Sequence, residues 1–592
     1  MSYWIPPKIA NLFNIYNSLG NESYDIKNDP ISNVRVGLTT GDDFRFVRNC
    51  FEIPLNKKNS LFWIRFLKGG EFRPFENPSQ LMLLWYNNGY ELKNFGGSYF
   101  RNEHSFEKIG IVCPYISDKG ICAQPSPSCN VFGHASRFIE IHDTSIEYRH
   151  AILGLLNSET YTMLLSCLTA DRKHESSILS SLPIPIFSQK KISIIANATK
   201  NILSCLFPLQ SEEETTPLFL KPYISNRHNL SENCDLYNHR AMKIRHKVIK
   251  EINNIDNIFW KMEELNSNDK NEFFIIASAF NSTPTNTIAS HISHRLSNIS
   301  KKKLVSILLS YLIGCNYGRW DIVKILNNCQ NDFSPEEQLP FLQPGMLQIS
   351  SGIPTESKHL PADYPLNINW DGIIVDDKNH PKDIVIGIRD SIKVIWQEKA
   401  NDIENEACVI LGIYSLREYF SKTANFFANH LKIYSISRRK SPIYWPLSTP
   451  SSSYTLWLYY HRLSDQILYT CVNDFVDPKL KQVKEDLGQL QKNTNRSTHE
   501  EKELEKLTNF ELELTDFKDE LLRIAKFWKP NLNDGVQITA APLWKLFQHK
   551  PWQKKLKETW EKLEKGEYDW AHLAYSIWPE RVTEKCRTDK SL

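Results

Sequence analysis

The hydrophobic pattern predicts an α+β protein, with a β-rich domain first and largely helical domains after it, among them an antiparallel helical hairpin. Three observations carry this. Short β-branched and aromatic segments crowd residues 1–190: NVRVGL, FRFVRNCFEI, LFWIRFL, IGIVCPYI and RFIEI, each punctuated by Gly, Asn or Asp. Apolar residues then recur at helical spacing in YNHRAMKIRHKVIKEINNIDNIFWKMEEL (237–265) and in KKKLVSILLSYLIGCNYGRWD from Lys301. Residues 479–527 are charged and heptad-like with a polar break at NTNRSTHEEK, the pattern of two helices folded back on one another.

Taken in order, PPKIANLFNIYNSLG predicts a short opening helix with Ile9, Leu12, Phe13 and Tyr16 on one face. The five strands follow. A single helix is expected over AILGLLNSETYTMLLSCLT, stopped by the prolines of SLPIPIF. Residues 191–330 read as a helical domain and 331–475 as a mixed α/β subdomain. The latter holds the strand DGIIVDD, one helix over SLREYFSKTANFFANHLKIYS and a hairpin over PIYWPLSTPSSSYTLWLYY. Residues 476–592 supply the helical hairpin and a cap containing LWKLFQHKPWQKKLKETWEKLEKG.

Composition excludes several classes. The 592 residues carry 71 basic and 68 acidic side chains, a net charge of +3. Any phosphate-binding surface must therefore come from local clustering. The 12 cysteines contain no CxxC pair, which reads as free thiols in a reducing compartment and offers no zinc spacing. MSYWIPPKIANLF has neither the basic start nor the apolar core of a signal peptide, and no run of 18 apolar residues occurs. A cytoplasmic protein without a membrane partner is expected.

No NPPY or DPPY loop exists to grip a flipped adenine, and no GxxxxGK[ST] phosphate loop is present. GLTTGD at 37–42 has the wrong spacing for a cofactor turn, and Asp376, Asp377, Glu398 and Lys399 do not stand in a metal nuclease's order. No catalytic residue and no metal site are expected in this chain.

Several segments together resemble one family. They are YWIPPKIANLF with VRVGLTTGDDFRFVRNCFEI; WIRFLKGGEFRPFENPSQLMLLWYNNGYELKNF with YFRNEHSFEKIGIVCPYIS; ILGLLNSETYTMLLSCLT with LPIPI; LLSYLIGCNYGRWD; and YSISRRKSPIYWPLSTPSSSYTLWLYYHRL with WKPNLNDGVQITAAPLW and YDWAHLAYSIWPERV. Their order resembles the non-catalytic half of PglX-type adenine-specific DNA methyltransferases of BREX phage-defence systems. The resemblance implies that residues 1–190 are a target-recognition domain. It also implies that S-adenosylmethionine is bound by a partner catalytic domain or subunit, one that would end just before Met1. Double-stranded DNA and other BREX-like defence proteins are the remaining expected partners. A non-catalytic protein-interaction scaffold is the alternative.

Candidate DNA-binding residues follow from residue chemistry. Thr39, Thr40 and Gly41 with Arg45 and Arg48 offer a turn with hydroxyls and guanidinium groups for phosphates, against the reading of a plain β-turn. Lys68, Gly69, Gly70 and Arg73 lie in KGGEFR, a stretch the family keeps. Its two glycines admit a phosphate close to the backbone. Arg101 and Asn102 are the residue types that read guanine and adenine edges, with a salt bridge from Arg101 to Glu103 as the other option. Arg438, Arg439 and Lys440 form the densest basic cluster, beside Tyr444 and Trp445, and could clamp phosphate or serve a structural or interdomain salt-bridge role. Arg172, Lys173 and His174 read as a solvated turn, with a DNA contact as the alternative.

Overall fold

The computed structural model describes residues 5–20, 30–55, 61–77, 79–128, 130–262, 271, 273, 275, 287–327, 329, 334, 335, 337–349, 354–436, 439–492 and 497–591. The opening helix is α1 (Pro7–Ile15). Eight strands follow: β1 (Ser32–Val36), β2 (Val47–Asn49), β3 (Trp63–Leu67), β4 (Leu81–Leu84), β5 (Gly110–Pro114), β6 (Gln124–Ser126), β7 (Asn130–Phe132) and β8 (Ser136–Ile141). They build two four-stranded sheets, ordered β1-β8-β5-β6 and β2-β4-β3-β7. The first is antiparallel throughout; in the second, β3 and β7 run parallel.

Why β5 is apolar at every position is clear from its two faces. Side chains alternate along a strand. Ile111 and Cys113 enter a core shared with the helices, whereas Val112 enters a core between the two sheets. Ile139 and Phe138 on β8 divide in the same way.

Two expectations in this region are corrected. FRFVRNCFEI is not one strand. Asp42 accepts from the Arg45 N–H at 3.1 Å and caps a helical turn over Asp43–Phe46. The Asn49–Glu52 capping box then closes a 3₁₀ turn, leaving only Val47–Asn49 extended. The helix expected over residues 151–168 is two, α2 (Ile146–Leu156) and α3 (Glu159–Leu168), bent by 67°. Asn157 at the break exchanges hydrogen bonds with the Ala123 backbone (2.7 and 2.8 Å), and Ser158 caps α3. Asp256 also accepts from the Thr160 N–H at 3.0 Å, placing a carboxylate on the positive end of α3.

Asp256 lies on α5 (Leu230–Met262), which packs with α4 (Gln189–Leu206). By length and composition alone the helical stretch Gln189–Glu212 would reach across a membrane; here Ile195, Ala198, Ile202, Leu203 and Leu206 are buried in the helical core. Next come α6 (Thr287–Arg295) and α7 (Lys301–Asn316).

The C-terminal part holds the largest core. Its elements are β9 (Ile373–Val375), α8 (Ile384–Trp396), α9 (Ala400–Leu411), α10 (Leu416–Ser421), α11 (Phe426–Ile433), β10 (Tyr444–Ser448) and β11 (Thr455–Tyr459). The hairpin of β10 and β11 forms as expected, and DGIIVDD supplies β9 as a third antiparallel strand beside β11. The helix expected over SLREYFSKTANFFANHLKIYS is broken between α10 and α11. There Asn425 donates its side-chain N–H to the Glu418 carbonyl at 3.3 Å, drawing the backbone out of helix. Asp376 and Asp383 bind Arg417, and Asp377 binds Lys479. Among the described residues no group of three or more His, Cys, Asp or Glu is arranged to hold a metal ion.

One buried ion pair joins the middle of the chain to this core. Glu214 accepts from Ser310 Oγ (2.8 Å), Tyr434 Oη (2.7 Å), Trp320 Nε1 (3.2 Å) and Arg319 Nη1 (3.5 Å). The Arg319 fork also donates to Tyr434 Oη at 2.5 Å and to Gln343 Oε1 at 3.4 Å, so the pair is held by hydrogen bonds inside the protein, while its Nε is buried without a partner. Beyond it, α12 (Asp477–Lys492) and α13 (Thr498–Ala525) form the expected hairpin. Lys518 meets Asp477 at 2.6 Å and Lys484 meets Glu511 at 3.7 Å, so the two helices run antiparallel.

Buried histidines set a pH response. Burial first, then Arg319, pushes His461 down to about 3; its Nε2–H donates to the Phe51 carbonyl at 2.8 Å. Burial and Arg137 push His174 down to about 4. Both rings are neutral when folded, whereas the unfolded chain protonates them near pH ~6.5. The unfolded state therefore binds more protons below that pH, and stability present above pH ~6.5 is lost as pH falls toward the folded pKa values. Denaturant unfolding should show stability falling from pH ~7 to ~4, and less steeply in His461→Gln. An identical pH dependence in that variant would contradict this account.

Candidate nucleic-acid interface

One end of the two sheets gathers five loops. Val36 of β1 faces Arg137 of β8, and Pro114 of β5 faces Ser136, so the chain leaves β1 and β5 where it enters β8. Parallel β3 and β7 end there too: Leu67 pairs with Phe132, and the Gly133 N–H donates to the Leu67 carbonyl at 2.8 Å. Thr39 forms a two-way backbone bridge with Tyr99 (2.8 and 2.9 Å). The 171–174 segment joins through the Ile116–Lys173 bridge and the His174 N–H on the Tyr115 carbonyl at 2.7 Å.

Within this end the candidate residues play different parts. Gly69 (φ 56°) donates its N–H to Ser136 Oγ at 2.7 Å, and a Cβ there would lie 3.1 Å from the Ala135 carbonyl oxygen. Gly70 (φ 131°) is exposed with open space above it. Both positive φ values suit glycine and hold the backbone outward. Lys68 beside them is ion-paired with Asp43. Arg101 is exposed and lies 4.9 Å above the ring of Tyr99, itself 58% exposed. It makes no salt bridge with Glu103, which pairs with Lys93 instead. Asn102 is turned inward, donating to the Val36 carbonyl at 3.0 Å from a left-handed backbone (φ 50°). Gly41 is exposed on the turn; Thr40 is buried and bonded to Asp43.

Three further members belong to this end: His134, which sequence reasoning missed, and Arg172 and Lys173, which it preferred as a solvated turn. Arg172 and Lys173 are exposed beside Tyr115 and Ile116, with no carboxylate within 4 Å among the described residues. His134 crowns the β7–β8 turn. Its ring is held below the usual histidine value by desolvation first, then by Lys68, Arg137 and Arg101, with Asp43 opposing them. Three cations and one carboxylate thus act on a single imidazole. Only the fold reveals it, because these residues are dispersed along the chain. Arg137 of the trio is internal, stacked 4.1 Å from the Tyr115 ring and paired with Glu175 at 3.3 Å.

Of the other candidates, those among the described residues are tied into the protein. Arg48 is 1% exposed. Its guanidinium donates to the Asn533 carbonyl (3.0 and 3.2 Å), the Asp534 carbonyl (2.9 Å) and the Phe44 carbonyl (2.8 Å). Arg45 is buried against Phe46 and Phe95 and donates to Ser591. Arg439 donates to the Asp43 and Phe44 carbonyls at 3.0 and 3.2 Å and stacks on Phe44. These three arginines fasten the 43–53 segment to the C-terminal part; Arg45 and Arg48 are buried there and Arg439 is half-buried. Lys440 is half-buried in a two-residue pairing with Ser435. Arg438 lies outside the described residues. Arg73 leaves the loop end and binds Glu71 and Glu213, both at 3.2 Å.

Two tests follow. Arg48→Ala strands several buried carbonyls and should cost about 3–5 kcal/mol in denaturant unfolding; a loss under about 1 kcal/mol would contradict the fastening role. His134 should titrate below pH ~6.5 by NMR and move upward in Arg101→Gln. An unmoved titration would separate Arg101 from this cluster.

No family model matches the chain. Over 84% of its length it is 22% identical to the adenine-specific methyltransferase BrxX of Escherichia coli O9:H4 (strain HS). The match spans 41% of that protein, so the chain covers less than half the length of this relative. The chain is similar, at a distance and through most of its length, to an adenine-specific methyltransferase.

Proposed function

We propose that the chain recognises target DNA for an adenine-specific methyltransferase of a BREX-type phage-defence system. The observation that carries this is the loop end, where Lys68, Gly69, Gly70, Arg101, His134, Arg172 and Lys173 converge on one edge of the two-sheet unit. Loops held by a rigid scaffold are where recognition residues sit. Exposed Arg172 and Lys173 supply uncompensated charge for phosphates, and the open backbone at Gly70 admits an anion closely. Arg101, spread over Tyr99, presents the planar fork that reads guanine bidentately. The distant likeness to a methyltransferase supports adenine methylation as the chemistry served. Methyl transfer from S-adenosylmethionine belongs, in this reading, to a catalytic partner domain or subunit, and the other proteins of the defence system are further partners.

The test is duplex binding across a salt series. Affinity should fall with salt at a log–log slope of about −0.9 per phosphate neutralised. Arg172→Ala with Lys173→Ala should weaken binding to all sequences and reduce that slope by about 1–2. Arg101→Ala should cost about 1–3 kcal/mol on the recognised site and little elsewhere. Absence of duplex binding at low salt, even beside the catalytic partner, would replace this reading with that of a protein-interaction scaffold.

A further inference from the structure

A second basic feature lies away from the loop end. A cavity of about 820 Å³ opens between the segment following KGG and the α6–α7 region; Phe72, Arg73, Lys119, His291, Arg295 and Lys303 line it. Its two arginines are fixed from below. Arg73 binds Glu213, and Arg295 binds both Glu213 and the buried Glu76. Each guanidinium retains one terminal nitrogen, Nη2 of Arg73 and Nη1 of Arg295, with no hydrogen-bond partner among the described residues. Planar forks locked by carboxylates on one edge present their other edge at little entropic cost.

The rim adds charge that nothing cancels. Lys119 and Lys303 are exposed, with no carboxylate within 4 Å among the described residues, and Glu71 is the acid in the lining. Phe72 meets His291 edge-on at 4.9 Å and carries the Lys119 ammonium 5.9 Å from its ring. His291 Nε2 is buried without a hydrogen-bond partner. Desolvation first, then Lys119, His294, Arg295 and Arg73, pushes that ring down to about 4, the response of an imidazole facing several cations with no anion among them.

We propose that this cavity binds a phosphate ester, with Arg73 and Arg295 as the fork and Lys119 and Lys303 closing over it. Phosphate has the charge and the bidentate oxygen spacing that two guanidinium edges match. Phe72 and Tyr237 in the lining supply apolar surface for an attached base or sugar. The source is a free nucleotide or a backbone phosphate of nucleic acid, and the experiment separates them.

The full chain is titrated calorimetrically with inorganic pyrophosphate, with ATP in the absence of divalent metal, and with a short DNA duplex. Lys119→Ala/Lys303→Ala is the informative variant, because both side chains are exposed and unpaired and their loss leaves the Arg–Glu framework intact. Pyrophosphate and ATP should both bind, and the double variant should weaken them about tenfold or more while its thermal unfolding is unchanged. If duplex displaces pyrophosphate from the wild type, and less readily from the variant, the phosphate is that of a DNA backbone. If duplex and pyrophosphate bind together, it is that of a free nucleotide. Failure of the chain to take up either pyrophosphate or ATP, or equal affinity in wild type and variant, overturns the proposal. The variant spares Lys68, Arg101, Arg172 and Lys173, so either result leaves the loop-end reading to its own test.

Discussion

The Arg48 guanidinium is the fastening on which the arrangement of this protein depends. It takes carbonyls from Phe44 on its own segment and from Asn533 and Asp534 nearly the whole chain away. Around it, Trp63 Nε1 donates to Asn533 at 3.1 Å, His461 donates to the Phe51 carbonyl, and Phe51 itself sits in the C-terminal core. Burial lowers the Arg48 pKa to about 10, with Arg439 adding to the fall and Glu52 and Asp534 opposing it. The group is charged at neutral pH. Asp534 in turn accepts from the His572 and Leu573 N–H groups at 2.9 and 2.8 Å. One arginine thus links the two-sheet unit to a helix start near the C-terminus through fixed hydrogen bonds rather than through apolar contact alone. Apolar contact is non-directional; matched donors and acceptors set orientation.

That fastening leaves the opposite function to other cations. Of the basic residues in the two-sheet unit, the buried ones hold structure together, and those at the loop end keep their heads in solvent. Lys68 stands between the two classes, because Asp43 holds it at the surface. A near-neutral chain can therefore carry a phosphate-facing edge: charge is not in excess overall, but it is left uncancelled at Arg101, Arg172 and Lys173.

Much of the fold was legible in the sequence. The mixed α+β class, the charged helical hairpin and the β10–β11 pair follow from a change in apolar period that no tertiary contact overrides. The helix breaks were not legible, because they depend on partners far away: Asn157 leaves the helix for the backbone of Ala123, and Asp256 receives the start of the next one. The candidate site was legible in part. KGG marked two positive-φ glycines, and Arg101 is exposed over Tyr99. Arg45 and Arg48 misled because two arginines beside a glycine turn look alike in sequence whether their partner is a phosphate or a carbonyl 485 residues on. Arg172 and Lys173 were read as a solvated turn because nothing local ties them to Lys68; the bridge to Ile116 does.

The account's central claim is that DNA meets the loop end. Hydrogen–deuterium exchange of the full chain, with and without a duplex at low salt, tests this most directly. The account predicts slowed exchange in the segments 39–42, 68–71, 99–102, 133–135 and 172–174, with the 43–53 fastening already protected and unchanged. Protection confined to the C-terminal helices, or none at the loop end under conditions where the duplex is bound, would contradict it.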